Sequence, residues 1–107
     1  MKALALVTDL LFASRITAEA KAAGAQVQIL RKPEQLTEAQ GDLLLVDLNL
    51  AGATQAAAIW QQQEGRRTVG FVSHIDSATI AAAREAGLEE IMPRSRFIQI
   101  LPELLRA

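Results

Sequence analysis

A chain of 107 residues is too short for two independent cores and long enough to bury one, so a single domain over residues 1–107 is expected. Its formal net charge of −1, with acidic and basic residues intermixed, offers no basic stripe for a nucleic-acid backbone, and its few aromatic residues leave no stacking platform for bases. The lack of cysteine excludes disulfides, thiolate metal sites and cysteine nucleophiles together, and the apolar runs, broken by Asp9, Asp47 or Gly70, are too short to cross a bilayer.

The opening MKALALVTDLLFASRI has the Lys and apolar stretch of a secretory leader, but Asp9 interrupts it, and the same residues read as a first strand (3–8) and helix (11–23). A cytoplasmic protein is expected. Gly24 closes that helix, because glycine takes the left-handed conformation needed just past a helix end. The second run, QVQIL at 26–30, is mixed in character and suits an edge strand. A short helix over 33–40 follows, with Pro33 at a favourable first position. The third strand is LLLVD, 43–47, and the helix after it, 53–64, places alanines, Ile59 and Trp60 inward and Gln61 to Gln63 towards solvent. The fourth strand, 68–73, leads through Asp76, a helix cap, to a helix at 77–86. That helix aligns Ile80, Ala83 and Ala86 or Gly87 on a narrow inner stripe. The fifth run, EEIM at 89–92, is short and edge-like. Ser95 then caps a last helix with Ile98, Leu101 and Leu105 on one face, in which Pro102 is expected to cause a kink or break.

Three of the runs, LALVT, LLLVD and VGFVS, are apolar nearly throughout, which suits parallel strands covered on both faces. Five strands alternating with five helices imply an α/β, right-handed, doubly wound sheet with helices on both faces. In such folds ligands bind beyond the carboxyl ends of the strands, where the winding reverses. Those ends carry Thr8 and Asp9, Asp47, Ser73 and His74, and Arg94. Two carboxylates at one edge repel unless a cation lies between them, and oxygen ligands favour a hard ion such as Mg²⁺. A hydroxyl and a guanidinium opposite them are suited to the oxygens of a phosphoryl group. The plainer reading of isolated strand-end aspartates is that they cap the turns and helices that follow.

The segments VTDLLFASRI, LLLVDLNLAG and FVSHIDSATIAAAREAGLEEIMPRSRF resemble the matching blocks of response-regulator receiver domains of the chemotaxis-regulator type, over nearly the whole chain. The resemblance implies a flavodoxin-like sheet in the order 2-1-3-4-5 and a stand-alone, non-enzymatic signalling role. By position, Asp47 matches the phospho-acceptor, Asp9 the second member of the acidic pair, and Ser73 the phosphate-binding hydroxyl. Asn49 matches the position whose backbone carbonyl completes a Mg²⁺ site with Asp9 and Asp47, and Arg94 stands where the family has its Lys. Other positions depart from the pattern. Thr8 replaces the first acid of the pair, which weakens Mg²⁺ binding, and Ser95 replaces the Pro after the Lys. Ile91 replaces the aromatic switch residue, and Ala51 replaces a Pro after the acceptor strand.

The resemblance therefore implies a phospho-receiver, taking a phosphoryl group on Asp47 from a histidine kinase or phosphotransfer protein and acting on a downstream protein target. The alternative is an unphosphorylated pseudo-receiver whose last helix and fifth strand form a docking or homodimer surface, with a small-anion or nucleotide module as a third class. Among the remaining residues, His74 is the only histidine and is expected on an exposed loop, and Trp60 is expected to anchor packing. Arg66 and Arg67 are expected to be solvated, at the opposite end of the sheet from the site. No dinucleotide, Walker, nucleophile-elbow or zincin motif is present.

Overall fold

A computed structural model of the chain describes residues 1–74 and 76–106. Its strands are β1 (Lys2–Leu6), β2 (Gln26–Leu30), β3 (Leu43–Asp47), β4 (Arg67–Val72) and β5 (Glu90–Pro93). Its helices are α1 (Leu10–Ala23), α2 (Ala53–Trp60), α3 (Ser77–Glu85) and α4 (Arg94–Arg106), and a short 3-10 helix occupies Pro33–Thr37. All strand pairs are parallel, in the order β2-β1-β3-β4-β5. The expected doubly wound sheet is therefore observed, with the two mixed runs at its edges. No helix among the described residues is long and apolar enough to cross a membrane.

Alternation of side chains along the central strands divides the core in two. Ala3, Ala5, Val7, Leu43, Leu45, Val69 and Phe71 face α1 and α4. Leu4, Leu6, Leu44, Val46 and Val72 face the 3-10 helix, α2 and α3. The chain's three phenylalanines, Phe12 from α1, Phe71 from β4 and Phe97 from α4, meet on the first face, with ring centroids 4.6 to 5.8 Å apart. Such tilted and edge-to-face pairs add about 0.5–1.5 kcal/mol each beyond the area they bury. They fasten α1 and α4 to the carboxyl half of the sheet, directly beneath the strand ends.

Helix ends follow the chemistry of their caps. Asp76 accepts the Ala78 N–H at the start of α3, and Gly24 ends α1 at φ 72°, where a Cβ would be strained. Gly70 is a different case, because a Cβ there would lie 2.7 Å from Leu48 Cδ1. The strand contains glycine because Leu48 fills that space.

Several local expectations are corrected. The second helical segment forms one short 3-10 turn, Pro33–Thr37, held at its entry by Gln35 Oε1, which accepts the Arg31 and Lys32 N–H groups. α2 stops at Trp60, and Ile59 points outward at 69% exposure while Trp60 is buried and donates from Nε1 to the Ala39 carbonyl. Over eight residues the inward stripe of α2 is taken by Ala53, Ala57 and Trp60, which leaves Ile59 on the far side. Ser95 does not cap α4; β5 runs directly into the helix, whose first residue is Arg94. Of the kink or break expected at Pro102, the break does not occur: the helix continues to Arg106, its inner face held by buried Phe97, Leu101, Leu104 and Leu105 on both sides of the proline. That burial offsets the lost backbone donor. Arg66 is half-buried, with its guanidinium 4.5 Å from the centre of the Trp60 ring and donating to the Trp60 carbonyl and to Gln40.

Candidate functional site

β1 and β3 are adjacent, with Leu6 in register with Val46, so the turn at Thr8–Asp9 and the end of β3 at Asp47 emerge side by side. Asp9 has extended backbone and is the cap of α1, its Oδ1 accepting the N–H groups of Leu11 at 3.0 Å and Phe12 at 3.2 Å. Its second oxygen, Oδ2, accepts from Arg94 Nη2 at 3.0 Å. The capping role anticipated for a strand-end aspartate is therefore filled, and a cation is joined to it.

Arg94 reaches Asp9 because α4 begins at once after β5 and packs along α1. Its guanidinium carbon lies 3.9 Å from the centre of the Phe12 ring, so the charge is held between a carboxylate and an aromatic face. The pair is partly open to solvent, with 33% of the Arg94 side chain and 48% of the Asp9 side chain exposed, so salt screens it. The Phe12 N–H, and next the Arg94 guanidinium, hold the Asp9 carboxyl below its ordinary range, against a smaller opposing effect of desolvation. On the other side of the turn, Arg31 donates from Nη2 to the Thr8 carbonyl at 3.2 Å. Two arginines thus hold the β1–α1 turn in place.

Asp47 is half-buried at the tip of β3 and its Oδ1 accepts the Asn49 N–H at 2.9 Å, a local turn of the kind Asp side chains favour. Asn49 in turn extends its side chain across to β4, where Oδ1 accepts the N–H groups of Ser73 at 2.7 Å and His74 at 3.1 Å. The Leu48 N–H bonds to the Phe71 carbonyl at 2.9 Å and continues the ladder past the end of β3. Asp47, Asn49, Ser73 and His74 therefore form one hydrogen-bonded chain linking the loops after β3 and β4. Ser73 and His74 are exposed.

The sequence-derived residues thus fall into two linked groups. One is Asp9 with Arg94, and the other is Asp47, Asn49 and Ser73. Among the described residues no hydrogen bond or ion pair joins Arg94 to Asp47 or Ser73. Three contributors were not legible in the sequence: Arg31, the Asn49 side chain and the Phe12 ring beneath Arg94. Arg31 and Arg94 lie far along the chain from their partners, and no spacing rule connects them.

Mg²⁺ is held by one or two carboxylates with water completing its shell, and a positive charge already seated on those carboxylates opposes it. Here both Asp9 oxygens are engaged, one Asp47 oxygen holds the Asn49 N–H, and Thr8 contributes no charge. Among the described residues no three His, Cys, Asp or Glu side chains are grouped closely enough to hold a metal. With Arg94 seated on Asp9 Oδ2, and for that reason, the donor set as it stands does not fit Mg²⁺.

No family model matches the chain, and no curated protein does. Solved structures do. The beryllofluoride-activated DrrB receiver domain superposes with a TM-score of 0.80 at 12% identity, over 98% of this chain and 93% of that one. A CheY-like response-regulator receiver protein from Methanospirillum hungatei gives 0.78 at 13% identity, over 97% and 92%. A response regulator from Burkholderia pseudomallei, solved with a phosphorylated aspartate and a calcium ion, gives 0.79 at 18% identity, over 97% of this chain and 65% of that one. With its strand order, its two helical layers and the placement of Asp9 and Asp47, the chain has the fold of the response-regulator receiver domains.

Proposed function

We propose that the chain is a cytoplasmic, non-enzymatic signalling module of the receiver type that works unphosphorylated, presenting its strand-end edge to a protein partner in one fixed arrangement. The observation that carries this is the Asn49 side chain. By accepting from both Ser73 and His74 it ties the loop after β3 to the loop after β4. A receiver that responds to phosphate needs these loops to move between two packings. Here Ile91 supplies no aromatic ring to couple such a movement, and Arg94 is engaged with Asp9. A partner would therefore meet the same surface at all times, and regulation would come through the partner's availability. The last helix and β5 offer a second surface of this kind, for a second copy of the chain or another protein.

A second reading is favoured by Asp47 itself, which is half-buried at the tip of the acceptor strand and forms no ion pair among the described residues. In that reading Asp47 would take a phosphoryl group from a histidine kinase or phosphotransfer protein, Ser73 and Arg94 would receive the phosphate oxygens, and Asp9, Asp47 and the Asn49 carbonyl would be the groups to hold Mg²⁺. It requires Arg94 to leave Asp9. The two are separated by incubating the protein with Mg²⁺ and a small phosphodonor and measuring intact mass. An unchanged mass with an intact fold supports the fixed module. A phosphate adduct that disappears in Asp47→Asn establishes the second reading and overturns the first.

A further inference from the structure

The acidic edge already contains a cation, but it is covalently part of the chain. Asp9 Oδ2 and Arg94 Nη2 lie 3.0 Å apart, and the guanidinium is fixed from below by the Phe12 ring at 3.9 Å. Phe12 is 4% exposed and belongs to the same aromatic cluster as Phe97, one turn along α4 from Arg94. Both ends of the arginine are thus anchored, its backbone by the β5–α4 junction and its head by a ring and a carboxylate. A planar guanidinium suits that position because it can stack and donate at once, which a compact ammonium cannot do in the same way.

We propose that Arg94 is a tethered counter-ion that closes this edge to divalent cations, so that ion binding and the Arg94–Asp9 pair are mutually exclusive. This rests on the edge being a receiver-type site, and it concerns metal exclusion rather than phosphorylation. The charge balance gives the direction. With Arg94 in place the carboxylates of Asp9 and Asp47 and the two guanidinium groups, Arg94 on Asp9 and Arg31 on the Thr8 carbonyl, sum to zero, which is a poor match for a doubly charged ion. Without the Arg94 guanidinium the same edge carries −1, Asp9 Oδ2 becomes available, and repulsion between the arriving ion and the nearer of the two positive charges is removed. At a partly exposed site, one unit charge a few ångströms away changes divalent-ion affinity by about tenfold or more at low salt, and by less as ionic strength rises.

The test is a Mn²⁺ titration of the intact chain at low ionic strength, following paramagnetic broadening of backbone amide signals. Wild type is compared with Arg94→Gln and with Arg67→Gln. The latter removes the same charge from the Arg67–Glu90 pair near the opposite end of the sheet. The expected result is binding at least about tenfold tighter in Arg94→Gln than in wild type, with broadening centred on Asp9 and Asp47, and wild-type behaviour in Arg67→Gln. Equal affinity in Arg94→Gln and wild type overturns the proposal, as does an equal gain in Arg67→Gln, which would reduce the effect to net charge. If circular dichroism shows Arg94→Gln unfolded, Arg94→Met, which keeps an apolar side chain over Phe12, takes its place with the same expectations. A phosphate adduct on wild-type Asp47 would overturn the fixed-module function but not this inference, which stands or falls on Mn²⁺ affinity alone.

Discussion

Gly70→Ala is expected to destabilise the protein and to disturb the candidate site through a single neighbour. A Cβ at residue 70 would lie 2.7, 2.9 and 3.2 Å from the Cδ1, Cγ and Cδ2 atoms of Leu48. Leu48 is 4% exposed and directly follows Asp47, so it cannot retreat into solvent without moving the turn that carries Asn49. Forcing one methyl group into a filled core costs about 1–3 kcal/mol. Because Gly70 is not among the positive-φ glycines, alanine there also removes unfolded-chain entropy and returns about 0.4–1 kcal/mol. The net loss is about 1–2 kcal/mol, a large part of the stability of a domain this size, and corresponds to a Tm lower by roughly 5–15 °C. Urea unfolding measures it, with a lower midpoint at unchanged slope. Leu48→Ala alone should cost about 2–5 kcal/mol. In the double variant the clash is absent, so its loss should fall short of the summed single losses by at least about 1 kcal/mol. Additive losses, or a neutral Gly70→Ala, would refute the contact as the reason for the glycine.

Asn49→Ala removes the acceptor shared by Ser73 and His74; hydrogen exchange of those two amides should accelerate, at a stability cost of about 1 kcal/mol, and unchanged exchange would contradict the fixed-loop account. Thr68 is 6% exposed and its hydroxyl has no partner among the described residues, so Thr68→Val, which keeps the shape, should raise stability by about 1 kcal/mol in urea unfolding. Asp9 has a lowered carboxyl pKa in the folded chain, so its contribution is present above its ordinary value of about 3.8 and disappears as pH falls through the lower folded value. Asp9→Asn should therefore differ most from wild type near neutral pH and converge with it towards pH 2, and a constant difference across that range would contradict the assignment.

The sheet was legible because its information is local. LALVT, LLLVD and VGFVS are apolar without alternation, which only a two-sided environment permits, and QVQIL and EEIM declare edges by being mixed. Asp9 and Asp76 were legible as caps for the same reason, since each acts on backbone groups two or three residues away. What failed was also local, but depended on tertiary partners. α2 ends at Trp60 because the indole finds the Ala39 carbonyl, and only that burial decides which side of the helix Ile59 occupies. Pro102 breaks an isolated helix, yet here Phe97 and Leu101 before it and Leu104 and Leu105 after it are buried against the same face. At the site, the positions of Asp9, Asp47, Ser73 and Arg94 could be read from strand ends, but their pairing could not. Eighty-five residues separate Arg94 from Asp9, and the ring that holds the guanidinium belongs to a helix with no sequence mark of that role.

The central claim is that the loops after β3 and β4 keep one arrangement because Asn49 fastens them, with Asp47 unmodified. It is tested most directly by recording backbone amide spectra of the protein with and without Mg²⁺ and beryllofluoride, a mimic of a phosphorylated aspartate. The account predicts that the amide signals of Asn49, Ser73 and His74 stay in place. Saturable shifts of those three signals, absent in Asp47→Asn, would contradict it.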